Sequence, residues 1–273
     1  MRLFVFGLGY AARAIAAAAG APLLATTRDG RDGTIRFDDD DAVRAGVAAS
    51  THVLSSVPPD EDGDPVLRRH AGLLDGRWLG YLSSTGVYGD TAGAWVDERA
   101  PADRGRRHLR NDADAAWLAA GARVFRLPGI YGPGRSPLVR VAEGQAHRTG
   151  IVGQVFSRVH VADLADGVVA GFDAPPGAYN LADDEPAAQD HVVAYAAALL
   201  GLPAPSIVPL EALSPAARSF HAENRRVANG KAKRVLGWRL RYPDYRAGLR
   251  ALSAMTSPTA ASPAPAPASS VQR

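Results

Sequence analysis

The chain contains no cysteine. Disulfides, thiolate nucleophiles and cysteine metal sites are excluded, and the absence agrees with a reducing compartment. Lysine is almost as scarce: of 31 basic residues only Lys231 and Lys233 are lysines. Chemistry that needs an ammonium group must draw on that one short segment. No uninterrupted apolar run approaches the ~20 residues of a membrane-spanning helix. Net charge is only +3, against 28 acidic residues, and no basic stripe carries interleaved aromatics. Neither nucleic acid nor a membrane is expected as a partner. Arg2 and the apolar residues after it have the outline of a secretory leader. Its removal would delete a first strand and a glycine turn, so the segment reads as structural and the expected location is the cytoplasm.

At 273 residues the chain suits one large α/β unit whose core needs no staple. Leu3 to Phe6 is a continuous apolar run, as in a strand buried on both faces. Residues 10–19 read as an Ala-rich helix stopped by Gly20. Further strands are expected at 22–27, 34–37, 51–57, 78–83, 123–127 and 178–181, and helices at 41–49, 112–120, 164–172 and 190–200. This alternation predicts a doubly wound parallel sheet. The sheet core would comprise about 1–128 and 158–183, and a small C-terminal substrate lobe about 129–157 and 184–255. Residues 256–273 are mostly Ala, Pro, Ser and Thr and are expected to form a disordered tail.

Gly7-x-Gly9-x-x-Ala12 follows the first strand and opens the first helix. The first Gly permits a tight turn, the second lets backbone approach a pyrophosphate, and the small third residue lets helix and strand pack closely. Free helix amides from Tyr10 onward would face the phosphates. A dinucleotide cofactor is therefore expected. The acid that grips the adenine-ribose hydroxyls should lie roughly 20 residues on, yet Thr27 and Arg28 stand there. An Arg suits a 2′-phosphate, which favours NADP, with NAD the alternative. Asp29 weighs the other way, and a solvated loop Arg is the plainer alternative for Arg28. Asp38 can accept from the adenine amino group, while Asp39 to Asp41 read as acids at a helix start. No metal site is expected, because no His or distant acid completes a ligand set. Ser83-Ser84-Thr85 ends a strand at the edge where open α/β sheets place their chemistry. A hydroxyl there can bond a substrate oxygen or cap local backbone.

Four segments occur in order: Gly7 to Ala12, Leu82 to Gly89, Phe125 to Gly134 and Arg158 to Ala165. Together they resemble the extended short-chain dehydrogenase/reductase group, the NAD(P)-dependent epimerase/dehydratase family. The stretch around Tyr131-Gly132-Pro133-Gly134 is the most specific, and Asn224 to Tyr245 looks like the closing helix and turn of oxidoreductase members. The resemblance implies a cofactor-binding sheet and a substrate lobe. It implies Ser84 as a catalytic hydroxyl, Thr85 as its neighbouring candidate, and Pro128, Gly129 and Ile130 beside the nicotinamide. It also implies a Tyr followed four residues later by Lys, and no Tyr here has Lys at that spacing. Asp114 resembles the acid on the family's catalytic helix. Counting back from it puts Arg106 at the Tyr position and Arg110 at the Lys position. His108, between them, suits proton transfer or serves as a solvated surface side chain. His160 reads as a packing residue at the lobe boundary. Arg158 reads as the ion-pair partner of Asp163 or Asp166, or as a phosphate contact. The basic stretch from Arg225 to Arg241 reads as a solvated helical face.

The expected activity is that of an NAD(P)-dependent oxidoreductase or epimerase/dehydratase with a degenerate proton-transfer pair. Its substrate would be a sugar-like small molecule, nucleotide-linked or free, and a homodimer is compatible. The alternative is a non-catalytic protein that senses NADP(H) or a metabolite.

Overall fold

In the computed structural model, which describes residues 1–105 and 108–256, the chain begins with β1 (Leu3–Phe6), α1 (Tyr10–Ala19), β2 (Leu23–Thr27), β3 (Ile35–Arg36), α2 (Asp40–Ala48), β4 (His52–Ser55) and α3 (Pro65–His70). There follow β5 (Trp78–Ser84), β6 (Trp95–Val96), α4 (His108–Ala119), β7 (Arg123–Leu127), β8 (Gly129–Tyr131), α5 (Pro137–Ala142), β9 (Arg158–His160) and α6 (Val161–Ala170). The last elements are β10 (Gly177–Asn180), α7 (Gln189–Leu199), α8 (Pro215–His221), β11 (Arg226–Val227), α9 (Gly230–Leu236) and α10 (Tyr245–Thr256). Seven strands pair in parallel in the order β10-β7-β5-β4-β1-β2-β3. This is the expected doubly wound, Rossmann-like sheet. Strand order runs outward from β1 in both directions, and such a reversal opens a crevice at the carboxyl edge.

Side chains alternate across a strand, so both faces of β1 must find cover. Leu3 and Val5 pack with Ala12 and Ile15 of α1 and Leu164 and Val168 of α6. Phe4 and Phe6 enter the opposite core with Val43 and Val47 of α2 and Trp117 of α4. Full burial of each large apolar side chain contributes about 1.5–3 kcal/mol, which explains why an unbroken apolar run makes this strand. A third cluster joins Tyr131, Leu138 and Val141 to Val192 and Val193 of α7 and Leu249 and Leu252 of α10. Two small parallel pairs, β8–β9 and β6–β11, lie outside the seven-stranded sheet, and Val96 and Val227 of the second pack with Val87, Tyr88 and Ala182.

The bounds of β1, α1 and β7 coincide with those expected. Helix α6 starts sooner, at Val161, because His160 Nδ1 accepts from Ala162 N at 3.2 Å and caps it. Asp39 likewise caps α2 through Ala42 N at 3.0 Å. The short elements α3, α5, α8, β6, β8 and β9 had no counterpart in the sequence reading. Of the tail expected over 256–273, Thr256 closes α10 instead, and 257–273 lie outside the described residues. Among the described residues no helix is long and apolar enough to cross a membrane.

Candidate active site

A cleft of about 1260 Å³ runs along the carboxyl edge of the sheet and is also lined by lobe segments. Its sheet wall includes Gly9, Tyr10 and Ala12 after β1, Ser56 after β4, Ser84 and Thr85 at β5, and Pro128, Gly129 and Ile130 after β7. Gly7 holds φ +82°, and a Cβ there would meet Ser56 Oγ at 3.0 Å and Val57 Cγ2 at 3.1 Å. The Ser56 hydroxyl donates to the Gly7 carbonyl and locks the turn. Gly9 is the N-cap of α1 and supplies no capping side chain. A Cβ at Gly9 would meet nothing within 4 Å. The first α1 amides therefore lack partners within the helix and open on the cleft. An open helix N-terminus behind two glycines fits a dinucleotide pyrophosphate.

Thr27, Arg28 and Asp38 stand at the ends of β2 and β3, beyond the deep cleft. Thr27 Oγ1 hydrogen bonds with Thr34 Oγ1 at 2.7 Å and donates to Asp29 at 3.2 Å. Arg28 is exposed and makes no ion pair among the described residues. Asp38 accepts two bonds from Arg36, at 3.0 and 2.8 Å, which hold its carboxyl below the usual range. An adenine amino group would compete with that pair.

At the end of β5 the two serines divide their work. Ser83 is buried and donates to Asp114 Oδ2 at 2.6 Å. Ser84 lines the cleft, and its oxygen accepts from Gly86 N at 3.1 Å, which leaves its proton to donate outward. Thr85 is buried beside it. Gly105 seats on this turn: its amide donates to Val87 O at 3.1 Å, and a Cβ would stand 2.3 Å from Gly86 O. His108 is exposed and outside the cleft lining. Arg110 is half-buried in the lining and has no hydrogen bond or ion pair among the described residues. Arg106 lies outside the described residues. No lysine is among the residues described as lining the cleft. Lys231 donates to Ala178 O at 2.7 Å and lies over the Tyr179 ring, and Lys233 pairs with Asp184 at 2.5 Å.

Directly beneath Ser84 lies a buried polar network that sequence reasoning did not assemble. Arg126 donates to both oxygens of Asp114, at 3.1 and 2.7 Å, and to Tyr88 Oη at 3.0 Å. Tyr88 in turn donates to Asn180 Oδ1 at 2.8 Å. A signal existed: Arg126 is a charge inside a strand otherwise buried on both faces, which demands a partner.

Two readings of the later sequence need correction. Arg158 pairs with neither Asp163 nor Asp166. It donates to Phe156 O, Ala187 O and Gln189 Oε1, at 2.9, 3.0 and 3.1 Å, and burial lowers its pKa to about 10. Asp163 is taken by the amides of Arg241 and Tyr242, and Asp166 by the Arg241 side chain. The stretch from Arg225 to Arg241 is not one solvated helical face either. Only Gly230–Leu236 is helical, and Arg225 projects into the cleft, donating to Gly89 O at 2.7 Å and Glu223 at 2.6 Å. His160 packs between Tyr131 and Tyr242, and burial pushes its pKa down to about 4. Among the described residues that line the cleft, Arg110, Arg135, Arg140, Arg158 and Arg225 face only Glu143 and Glu223, so their field is positive.

Sheet order, glycine turn and edge cleft define a Rossmann-type α/β protein. The chain belongs to the family of a conserved protein of unknown function from Silicibacter pomeroyi DSS. The two are 42% identical over 93% of this chain and 98% of that one, with a TM-score of 0.85. The human epimerase family protein SDR39U1, solved with NADPH, shares the fold at 18% identity, covering 93% of this chain and 99% of that one with a TM-score of 0.74. A curated Streptomyces protein, a 3-diazoavenalumate denitrifying reductase, is 30% identical over 138 residues, or 46% of this chain. The match spans 45% of that relative's length, under half of it. No family model matches the chain.

Proposed function

We propose that this protein is an NAD(P)-dependent oxidoreductase acting on a sugar-like small molecule, nucleotide-linked or free. The observation that carries the reading is one cleft lined by both the open N-terminus of α1 and the Ser84 hydroxyl. Bound nicotinamide would supply hydride chemistry, and the chain would bind and orient the partners. Ser84 would donate to the reacting oxygen, because its own lone pair already takes the Gly86 amide. The reductase name of the curated relative supports the reductive direction. A guanidinium stays protonated and is a poor base, so Arg110 cannot replace a Tyr/Lys pair. Acid–base assistance is worth about 10²–10⁴-fold in rate, and its loss implies slow turnover or a substrate that manages its own proton. The cleft's lack of a lysine among the described residues favours the second reading, an NADP(H) or metabolite sensor.

Single-turnover NADPH oxidation with a panel of nucleotide sugars and simple carbonyls tests the first reading. Ser84→Ala is expected to slow it at least about tenfold, the scale of one hydrogen bond to a developing charge. His108→Ala should leave the rate within about twofold, because an exposed group outside the cleft holds no reacting atom. A Ser84→Ala effect below threefold would remove that hydroxyl from the chemistry. NADPH that binds yet reacts with nothing in the panel would leave the sensor.

Cofactor choice rests on Arg28. Its exposed guanidinium makes no ion pair among the described residues and can hold a 2′-phosphate. Arg28→Asp should weaken NADP binding by about 1–3 kcal/mol and improve NAD binding. Titration of the unaltered protein with both cofactors is the check, and equal affinities would end the NADP preference.

A further inference from the structure

Arg225 is built into the catalytic edge by the residue before it. Asn224 N donates to Asp90 Oδ1 at 2.8 Å, and its carbonyl accepts from Thr91 N at 3.1 Å and Gly93 N at 2.8 Å. Its side chain donates to Gly153 O at 3.1 Å and accepts from Val155 N at 3.0 Å. Asn224 thus ties the stretch after β5 to a loop of the lobe, and the next residue has little freedom. Arg225 Nη1 is then held by Gly89 O and by Glu223, with 16% of its side chain left exposed. Neither contact uses Nη2. A Cβ placed on Gly86 would stand 3.2 Å from Ser84 Oγ and 4.0 Å from Arg225 Nη2. Hydroxyl and guanidinium therefore flank one point of the turn, and both line the cleft. Arg110 lines it from α4, one turn before Asp114, with its donor fork uncommitted among the described residues.

We propose that Arg225 and Arg110, beside the Ser84 hydroxyl that donates to the reacting oxygen, form an oxyanion subsite at the reacting end of the cleft. It takes a carboxylate or phosphate carried next to the substrate's reacting carbon. The assignment rests on the oxidoreductase reading of the cleft and narrows its substrate to an acid. Guanidinium forks match planar and tetrahedral oxyanions through paired, charge-assisted bonds. A half-buried position strengthens those bonds relative to water. Arg225 needs its Glu223 and Gly89 contacts for aim, since a free arginine side chain loses much rotamer entropy on binding.

The test is calorimetric titration of the cofactor-free full chain with oxalate and, separately, inorganic phosphate. The parent is expected to bind at least one of them, and the tighter probe names the source of the oxyanion. Arg225→Gln and Arg110→Gln should each weaken that probe at least about tenfold, the scale of one lost charge-assisted bond. Arg225→Lys, which keeps the charge but not the fork, should fall between. Arg225→Gln could loosen the Gly89 turn, so melting temperatures are compared. Arg110→Gln removes no contact among the described residues and stays informative whatever the first variant does. Equal affinity in the parent and both Gln variants overturns the subsite, as does failure of the parent to bind either probe. Because no cofactor is present, failure to bind NADPH would sink the oxidoreductase reading separately.

Discussion

Arg126→Met is expected to cost about 3–5 kcal/mol of folding stability, the range for stranding one partner of a buried ion pair. Arg126 and Asp114 keep only 3% and 2% of their side chains exposed, so an abandoned Asp114 carboxylate could not recover its hydration. The loss would not measure a net gain from the pair, since burying two charges nearly cancels their attraction. It would measure an unpaired charge. Asp114→Leu combined with Arg126→Met should therefore recover much of the deficit. The consequences should reach the site, because Asp114 also holds Ser83, the residue before Ser84. Urea unfolding of the two single variants and the double variant is the measurement. A deficit below 1 kcal/mol in Arg126→Met, or a double variant worse than both singles, would mean the network is not what secures this end of β5.

That network marks the limit of what could be read in the sequence. Strand β1, helix α1 and strand β7 were legible because each announces itself locally: an unbroken apolar run, an alanine stretch ended by glycine, a run between two turns. The glycine turn and Ser84 were legible for the same reason, each being one short segment whose chemistry depends on its neighbours. Arg126 and Asp114 lie on different elements, and only the packing of α4 against β7 brings them together. Arg225 was less legible still. Seven basic residues from Arg225 to Arg241 look like a solvated face, and nothing local shows that Asn224 pins the chain to the Asp90 carboxylate and to four distant backbone groups. Arg158 misled by proximity in sequence: Asp163 and Asp166 are near along the chain, yet their carboxylates satisfy the backbone and side chain of Arg241 and the amide of Tyr242. The short strands β8 and β9, three residues each, carry too few side chains to show a period.

Asp183→Asn is expected to make the protein less sensitive to alkali, by an amount that grows with pH. Asp183 follows β10, is 1% exposed, and neither carboxylate oxygen has a hydrogen-bond partner among the described residues. Burial pushes its pKa up from 3.8 to about 8; Arg158 and the Glu185 amide oppose the rise, and Asp184 and Asp244 add to it. Arg158, on β9, is itself buried and spends its donors on two carbonyls and Gln189, so it offers attraction at a distance and no direct bond. The phenol oxygen of Tyr131, on β8, is also buried with no hydrogen-bond partner among the described residues. A folded-state pKa raised above the unfolded value means the native protein holds a proton that the unfolded chain has released. The stability that proton confers is complete below about pH 4 and is lost as pH rises to about 8. Within that window one such group can tilt the curve by at most ~1.4 kcal/mol per pH unit. Asparagine keeps the neutral shape and cannot ionise. Urea midpoints for parent and variant should therefore lie close together near pH 4.5 and separate in favour of Asp183→Asn by pH 8.5. A constant offset between the two curves across that range would show that Asp183 stays charged in the folded protein, with Arg158 outweighing burial.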